Sequence, residues 1–137
     1  MRLLIFVCLT MVAIGIAWYL QRRRPDPPSA PSYRAPTQLD RADFMHSDED
    51  VLIVVFASQT CDSCPRVWAE VAPLASEGLV VCQRIDVQDN SELHTRYKID
   101  GVPTTVVSDS EGVVSQTFFG AVTQSEVADA VAQITTA

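Results

Sequence analysis

The sequence predicts an α/β domain, a central mixed sheet of four to five strands flanked by helices, behind an N-terminal transmembrane helix. Three observations carry this. From about Thr37 onward, helix and strand signals alternate in the order α β α β α β β α, the pattern of a sheet covered by helices. Val51-Leu52-Ile53-Val54-Val55-Phe56 is a continuous apolar run rich in β-branched residues, which suits a strand buried on both faces. Leu3 to Leu20 is an almost unbroken apolar run without a charge. At the rise of a helix it reaches roughly 27 Å, close to the thickness of a bilayer core.

Three readings compete for residues 1–24. A cleaved signal peptide wants a basic start, a short apolar run and small residues before the cut; Arg2 and Gly15-Ile16-Ala17 supply a weak version. A buried core helix is disfavoured because the stretch is not amphipathic. Trp18 and Tyr19 follow as an aromatic interface anchor, so we read residues 1–24 as an uncleaved single-pass anchor with a basic flank. Arg22-Arg23-Arg24 follow the span and only Arg2 precedes it. Basic flanks tend to stay inside, so the expectation is a C-terminal domain facing the cytoplasm, with the extracytoplasmic side as the alternative. Residues 25–37 contain five prolines at positions 25, 27, 28, 31 and 36 and read as an extended, semi-rigid linker.

Residues 38–137 form the soluble domain. Asp40 to Ser47 is expected to make a short helix that brings Leu39 and Phe44 to the core. After the 51–56 strand, a helix is expected to open at Cys61 or Asp62 and to run to about Ser76, with Val67, Trp68, Val71 and Leu74 at helical spacing and Gly78 as the stop. Leu79 to Asp86 reads as a second strand, and Ser91 as the cap of a short helix to Tyr97. Thr104 to Ser108 and Val113 to Phe119 read as two strands joined by a turn at Asp109-Ser110-Glu111-Gly112. Thr123 caps a last helix with Val127, Val131 and Ile134 on one face.

A hydrophobic content of 47% is ordinary for a globular protein; the charge distribution says more. Residues 35–137 hold five basic and sixteen acidic side chains, a formal charge of −11. Phosphates are repelled by such a body, so nucleic acid is not an expected partner. The remaining notable residues are bland. Cys82 reads as a small buried hydrophobe on a strand, Trp68 as core or site rim, and His46 and His94 as surface residues.

Cys61 and Cys64 carry the chemistry. Two thiols two residues apart are compatible with a redox dithiol, half of a zinc site, or a structural disulfide. Zinc needs four ligands, or three and water, yet Cys8, Cys82, His46 and His94 form no second tight pair, so no metal is expected. A bridge closing so short a loop gains little chain entropy. Placed between a buried strand and a helix, Cys61 falls near free N–H groups that favour a thiolate, and its partner can attack the resulting mixed disulfide. The redox reading is therefore favoured over the other two. Gly101-Val102-Pro103-Thr104 is the second signal. A proline just before a strand can hold a cis bond and present the backbone of Val102 to an extended substrate segment.

At this point the chain resembles the thioredoxin family. The resemblance covers roughly residues 38–137. It rests on Phe56 five residues before Cys61, the Cys61–Cys64 pair, Ile85-Asp86-Val87 with Tyr97 eleven residues after Asp86, Val102-Pro103-Thr104, and Gly120 after the last strand. It implies the thioredoxin-like fold and thiol–disulfide exchange, with Cys61 as nucleophile, Cys64 as resolving thiol and Pro103 as the cis-proline. It implies protein or small-molecule disulfides as substrates, an electron donor that the sequence does not identify, and no cofactor beyond the redox-active Cys61–Cys64 disulfide itself. The anchor and linker are similar to those of small membrane-tethered bacterial thioredoxin-like proteins.

The departures are informative. The family's Trp-Cys-Gly-Pro-Cys is here Thr60-Cys61-Asp62-Ser63-Cys64. The family's buried aspartate falls at Val55, which cannot act as a base. Its nearby lysine falls at Arg84, which keeps a positive charge. The proline inside the active-site helix is absent from Ala69, while Pro65 and Pro73 lie elsewhere in that stretch. Asp62, beside Cys61, disfavours the thiolate and opposes the helix dipole, which argues for a reducing couple and a reductase; Ser63 and Arg84 are the other residues expected to tune the site. The rival reading is a non-catalytic binding or assembly module at the membrane.

Overall fold

The computed structural model describes residues 1, 10–12, 14–16 and 33–137. The chain divides into two units, Met1–Ser32 and Tyr33–Ala137. In the first, residues 10–12 and 14–16 are helical and exposed. The expected span over residues 3–20 lies largely outside the described residues, as does the linker from 25 to 32. Among the described residues no helix is long and apolar enough to cross a membrane.

The second unit is built on a four-stranded mixed sheet, β1 (Val51–Ala57), β2 (Val80–Asp86), β3 (Thr104–Ser108) and β4 (Val114–Phe119), in the order β2-β1-β3-β4. Every residue of β1 is buried, as its unbroken apolar run requires of a central strand. It pairs in parallel with β2, from Val51↔Val80 to Ala57↔Asp86. It runs antiparallel to β3, from Leu52↔Ser108 to Phe56↔Thr104, and β3 pairs antiparallel with β4.

Alternation along β1 divides the core in two. Val51, Ile53, Val55 and Ala57 face α1 (Cys64–Val71) and α3 (Gln124–Thr135), meeting Cys64, Val67, Val71 and Val127. Leu52, Val54 and Phe56 face the other way, toward α2 (Ser91–Arg96), and pack with Leu93, Tyr97, Leu39 and Phe44.

Several elements differ from the sequence expectation, each for an identifiable reason. The expected helix over 40–47 is a single 3-10 turn, Arg41–Asp43, capped by the Asp40 side chain on Ala42 N–H. The buried Arg41 guanidinium donates to the carbonyls of His46, Glu49 and Asp109 at 2.9 to 3.0 Å. The chain is thereby drawn into a loop after Phe44, whose ring stacks on Tyr97 with centroids 5.8 Å apart. The second helix begins at Cys64, not at Cys61 or Asp62, because Pro65 belongs in the first turn, where its missing N–H costs nothing. It gives way after Val71 to a 3-10 turn, Ala72–Leu74, because Pro73 has no N–H to continue the ladder. The third is capped by Asn90, whose side chain accepts from Leu93 N–H, rather than by Ser91. Thr123 does cap the last helix, as half of a capping box with Glu126.

The segment preceding the 3-10 turn is docked on the domain. Thr37 C=O accepts from Val114 N–H at 3.1 Å, Gln38 bridges to Val113, and Leu39 N–H donates to Gly112 C=O at 2.8 Å. The Tyr33 ring stacks on Phe119 with centroids 5.4 Å apart.

Candidate active site

The site stands where the chain leaves the C-terminal end of β1. Residues 58–61 form a tight turn in which Cys61 N–H donates to Ser58 C=O at 3.1 Å. Gln88 holds this turn from the segment after β2. Its amide nitrogen donates to Ser58 Oγ at 2.8 Å, and its amide oxygen accepts from Gln59 N–H at 3.0 Å. Nothing in the sequence pattern singled out Gln88, since its partners are thirty residues away.

Cys61 and Cys64 are joined as a disulfide, with S–S 2.13 Å and Cα atoms 5.5 Å apart. Their environments differ. Cys64 is the first residue of α1 and is fully buried in the cluster with Val55 and Val67. Cys61 lies outside the helix and is half-buried against the same cluster. The backbone N–H of Cys64 donates to Cys61 Sγ at 3.2 Å. It is one of the helix's unsatisfied first-turn N–H groups, so the helix end bears on the Cys61 sulfur although Cys61 is not part of the helix.

Ser63 occupies the N-cap position, but its side chain caps nothing. Its Oγ lies 3.6 Å from Cys61 Sγ instead. Asp62 is exposed to solvent.

Val55 lies buried beneath the dithiol in the same cluster as Cys64. Its neighbour in the parallel ladder is Arg84. The guanidinium of Arg84 makes a two-pronged ion pair with Asp86, at 2.8 and 2.9 Å. The positive charge expected at this position is therefore matched by a carboxylate two residues along the same face of the sheet.

The Val102–Pro103 peptide bond is cis. Val102 packs against the cluster that holds both cysteines. Pro103 C=O accepts from Gly120 N–H at 2.9 Å, and Thr104 Oγ1 donates to Gly101 C=O at 2.7 Å. These bonds tie the loop to β4 and to itself. Among the described residues, no group bonds the N–H or C=O of Val102.

The remaining singled-out residues fall as follows. Cys82 is half-buried on β2, its Sγ donating to Val71 C=O at 3.5 Å, and burial pushes its thiol up to about 11. Trp68 is half-buried against the dithiol-side core. His46 is exposed. His94, expected at the surface, is buried at 6% exposure. Its Nε2 meets Ile85 C=O at 3.0 Å and its ring stands edge-on to Phe56. The reason is its position on α2, where His94 shares with Leu93 and Tyr97 the side turned to the sheet.

Comparison with known proteins agrees with this architecture. The thioredoxin family model matches residues 37–133. A thioredoxin from Halobacterium salinarum superposes with a TM-score of 0.61 at 25% identity, over 80% of this chain and 96% of that one. A chloroplastic thioredoxin z gives 0.60 at 26% identity, over 66% and 83%. The germline-specific thioredoxin Deadhead of the fruit fly Drosophila melanogaster gives 0.55 at 26% identity, over 64% and 83%. No curated protein matches the chain. With its cysteine pair at disulfide distance beside a cis-proline loop, and with the family model matched across the sheet and its helices, this chain belongs to the thioredoxin family.

Proposed function

We propose that this protein is a membrane-anchored thiol–disulfide oxidoreductase that works as a reductase of protein or small-molecule disulfides. The observation that carries the reading is the asymmetry of the pair. Cys61 is half-buried and its sulfur receives a helix N–H, while Cys64 is fully buried. That division suits an attacking and a resolving thiol.

In the reduced protein, the Cys61 thiolate attacks one sulfur of the substrate disulfide. A mixed disulfide forms and the first substrate sulfur leaves as a thiolate, which takes a proton from solvent. Cys64 then gives up its proton and attacks Cys61 Sγ. The second substrate sulfur leaves, and the protein is left with the Cys61–Cys64 disulfide. Two electrons have passed to the substrate. Val55 offers no base for the proton of Cys64, so water takes it. Val102 and Pro103 would hold the substrate backbone through the open N–H and C=O of Val102. Ser63 and the Cys64 N–H favour the Cys61 thiolate, whereas Asp62 opposes it, destabilises the reduced form and so makes the couple more reducing.

Membrane attachment rests on the uncharged run Leu3–Leu20 and on the exposed apolar side chains Met11, Val12, Ile14 and Ile16 within it. The basic flank at Arg22–Arg24 favours a cytoplasmic domain, where a reductant suits the compartment. The electron donor is an unidentified reductase or thiol.

The test is redox titration of the full chain in detergent, in glutathione and dithiothreitol buffers, with alkylated thiols counted by mass. We expect one reversible two-electron transition between Cys61 and Cys64. A midpoint near about −120 mV, the strong-oxidant end of the range, sinks the reductase reading. A second reading, a non-catalytic binding module, is favoured by Val55 in place of an acid and by the pairing of Arg84 with Asp86. Failure of the pair to exchange with any buffer would make that reading the leading one.

A further inference from the structure

The segment that joins the domain to its N-terminal unit reaches the cis-proline loop. Tyr33 stacks on Phe119 at 5.4 Å with the rings 24° from parallel. Its edge also lies over Gly101, where an added Cβ would come within 2.5 Å of Tyr33 Cε1. The lack of a side chain at Gly101 is what lets the ring close over the loop. The ring is part of the lining of a pocket of about 170 Å³, together with Gly101, Val102, Pro103, Thr104, Phe119 and Gly120. No charged side chain lines it. Tyr33 and Phe119 remain 45% and 41% exposed, so the pocket is open to a ligand.

Its size decides what it takes. Pockets for whole small molecules or cofactors run to roughly 300 Å³ and above. This one is too small for those and suits one aliphatic side chain. Its wall is the Val102–Pro103 segment, and Val102 leads directly to the cluster holding Cys61. An extended chain paired with the open N–H and C=O of Val102 turns alternate side chains to opposite sides.

We propose that Tyr33, Phe119 and the Val102–Pro103 segment form a specificity pocket for an aliphatic side chain lying within two residues of the reactive cysteine in the substrate polypeptide. Tyr33 is a specificity-determining residue supplied by the linker. This rests on the oxidoreductase reading above.

The test uses the full chain, pre-reduced, and measures the second-order rate of its oxidation by disulfide-bonded peptides. The parent peptide carries glycine at the two positions on each side of its cysteine, and four derivatives carry leucine at one of them. Hydroxyethyl disulfide, which has no side chain for the pocket, is run in parallel. One apolar side chain in a formed pocket is worth roughly tenfold or more in rate. We expect leucine at one position to raise the rate about tenfold over glycine. Tyr33→Phe keeps that ratio, because it keeps the ring stack. Tyr33→Ala reduces the ratio to about twofold or less, the residue of an open-sided pocket. Because the readout is a ratio within each variant, a general loss of activity or stability cancels. An unchanged ratio in Tyr33→Ala, or no leucine preference at any position, overturns the pocket and leaves the oxidoreductase reading standing. No oxidation of the reduced protein by any of the peptides or by hydroxyethyl disulfide overturns both.

Discussion

Val55 and Arg84 are neighbours in the parallel ladder beneath the dithiol, and the guanidinium of Arg84 is turned onto Asp86 rather than toward the cysteines. No ionisable group stands at Val55, so the proton of Cys64 has no base waiting at that place.

Val55→Asp tests this directly. A positioned base contributes about a hundredfold or more to a proton-transfer step. We expect resolution of a mixed disulfide on Cys61 to accelerate by roughly ten- to a hundredfold, followed as release of a chromophoric thiol. The same change places a carboxyl in a fully buried position. Stability should fall by about 2–4 kcal/mol in chemical denaturation. Unchanged resolution in a folded variant would mean that Val55 does not limit the step.

The two cysteines should be chemically distinct once reduced. Cys61 is partly exposed and Cys64 has no exposed surface. Limited alkylation of the reduced chain should label Cys61 about a hundredfold faster than Cys64, read by mass after digestion. Cys64→Ser should accumulate a mixed disulfide at Cys61, and Cys61→Ser should lose exchange altogether. Equal labelling of both thiols would remove the assignment of roles.

Much of this arrangement is legible in the sequence. The run from Val51 to Phe56 has no polar face, so it had to be a strand covered on both sides. Thr123 announces the cap of the last helix. Val102-Pro103-Thr104 announces its loop. Each of these signals is local. Arg41 is different, because the carbonyls that it holds come from His46, Glu49 and Asp109, and only the folded chain brings them together. His94 looked like a surface histidine on a polar helix; the signal present was its spacing with Tyr97 on one side of that helix. Pro65 was the signal for the true start of α1. Gln88 and Tyr33 carried none, since a glutamine in a loop and a tyrosine in a proline-rich stretch acquire their partners through tertiary contacts.

Alkaline pH should weaken the fold in two windows. Burial pushes the Cys82 thiol from its ordinary value of about 9 up to about 11. Between these values the folded chain keeps a proton that the unfolded chain has lost. Stability is therefore fully present below about pH 9 and falls as pH rises through the folded value. Tyr97 acts in the same direction at higher pH. Burial first, and then the hydrogen bond to Asp43, push its hydroxyl up to about 12, so its contribution is lost between about pH 10 and 12. Cys82→Val should abolish the first loss and leave the second, measured by denaturant titrations at a series of pH values. Alkylation of Cys82 at pH 8 should run about two orders of magnitude slower in the folded than in the unfolded protein. Rapid labelling in the folded state would contradict the burial argument.

Gly112 and Gly78 make a matched pair that isolates the docking of the linker. Both have positive φ, +80° and +76°, so each alanine variant pays the left-handed penalty of about 1–2 kcal/mol. At Gly78 an added Cβ meets nothing within 4 Å, and the cost should end there. At Gly112 it would stand 2.0 Å from the carbonyl oxygen of Leu39, whose N–H donates to Gly112 C=O. Backbone must move, and the contact that holds residues 37–39 against β4 opens. We expect Gly112→Ala to cost about 2–3 kcal/mol more than Gly78→Ala in chemical denaturation. Since Tyr33 lies a few residues before that contact, Gly112→Ala should also weaken the leucine preference of the pocket while Gly78→Ala leaves it intact. Equal destabilisation by the two variants would show that Leu39 yields without cost and that the linker is not held at this point.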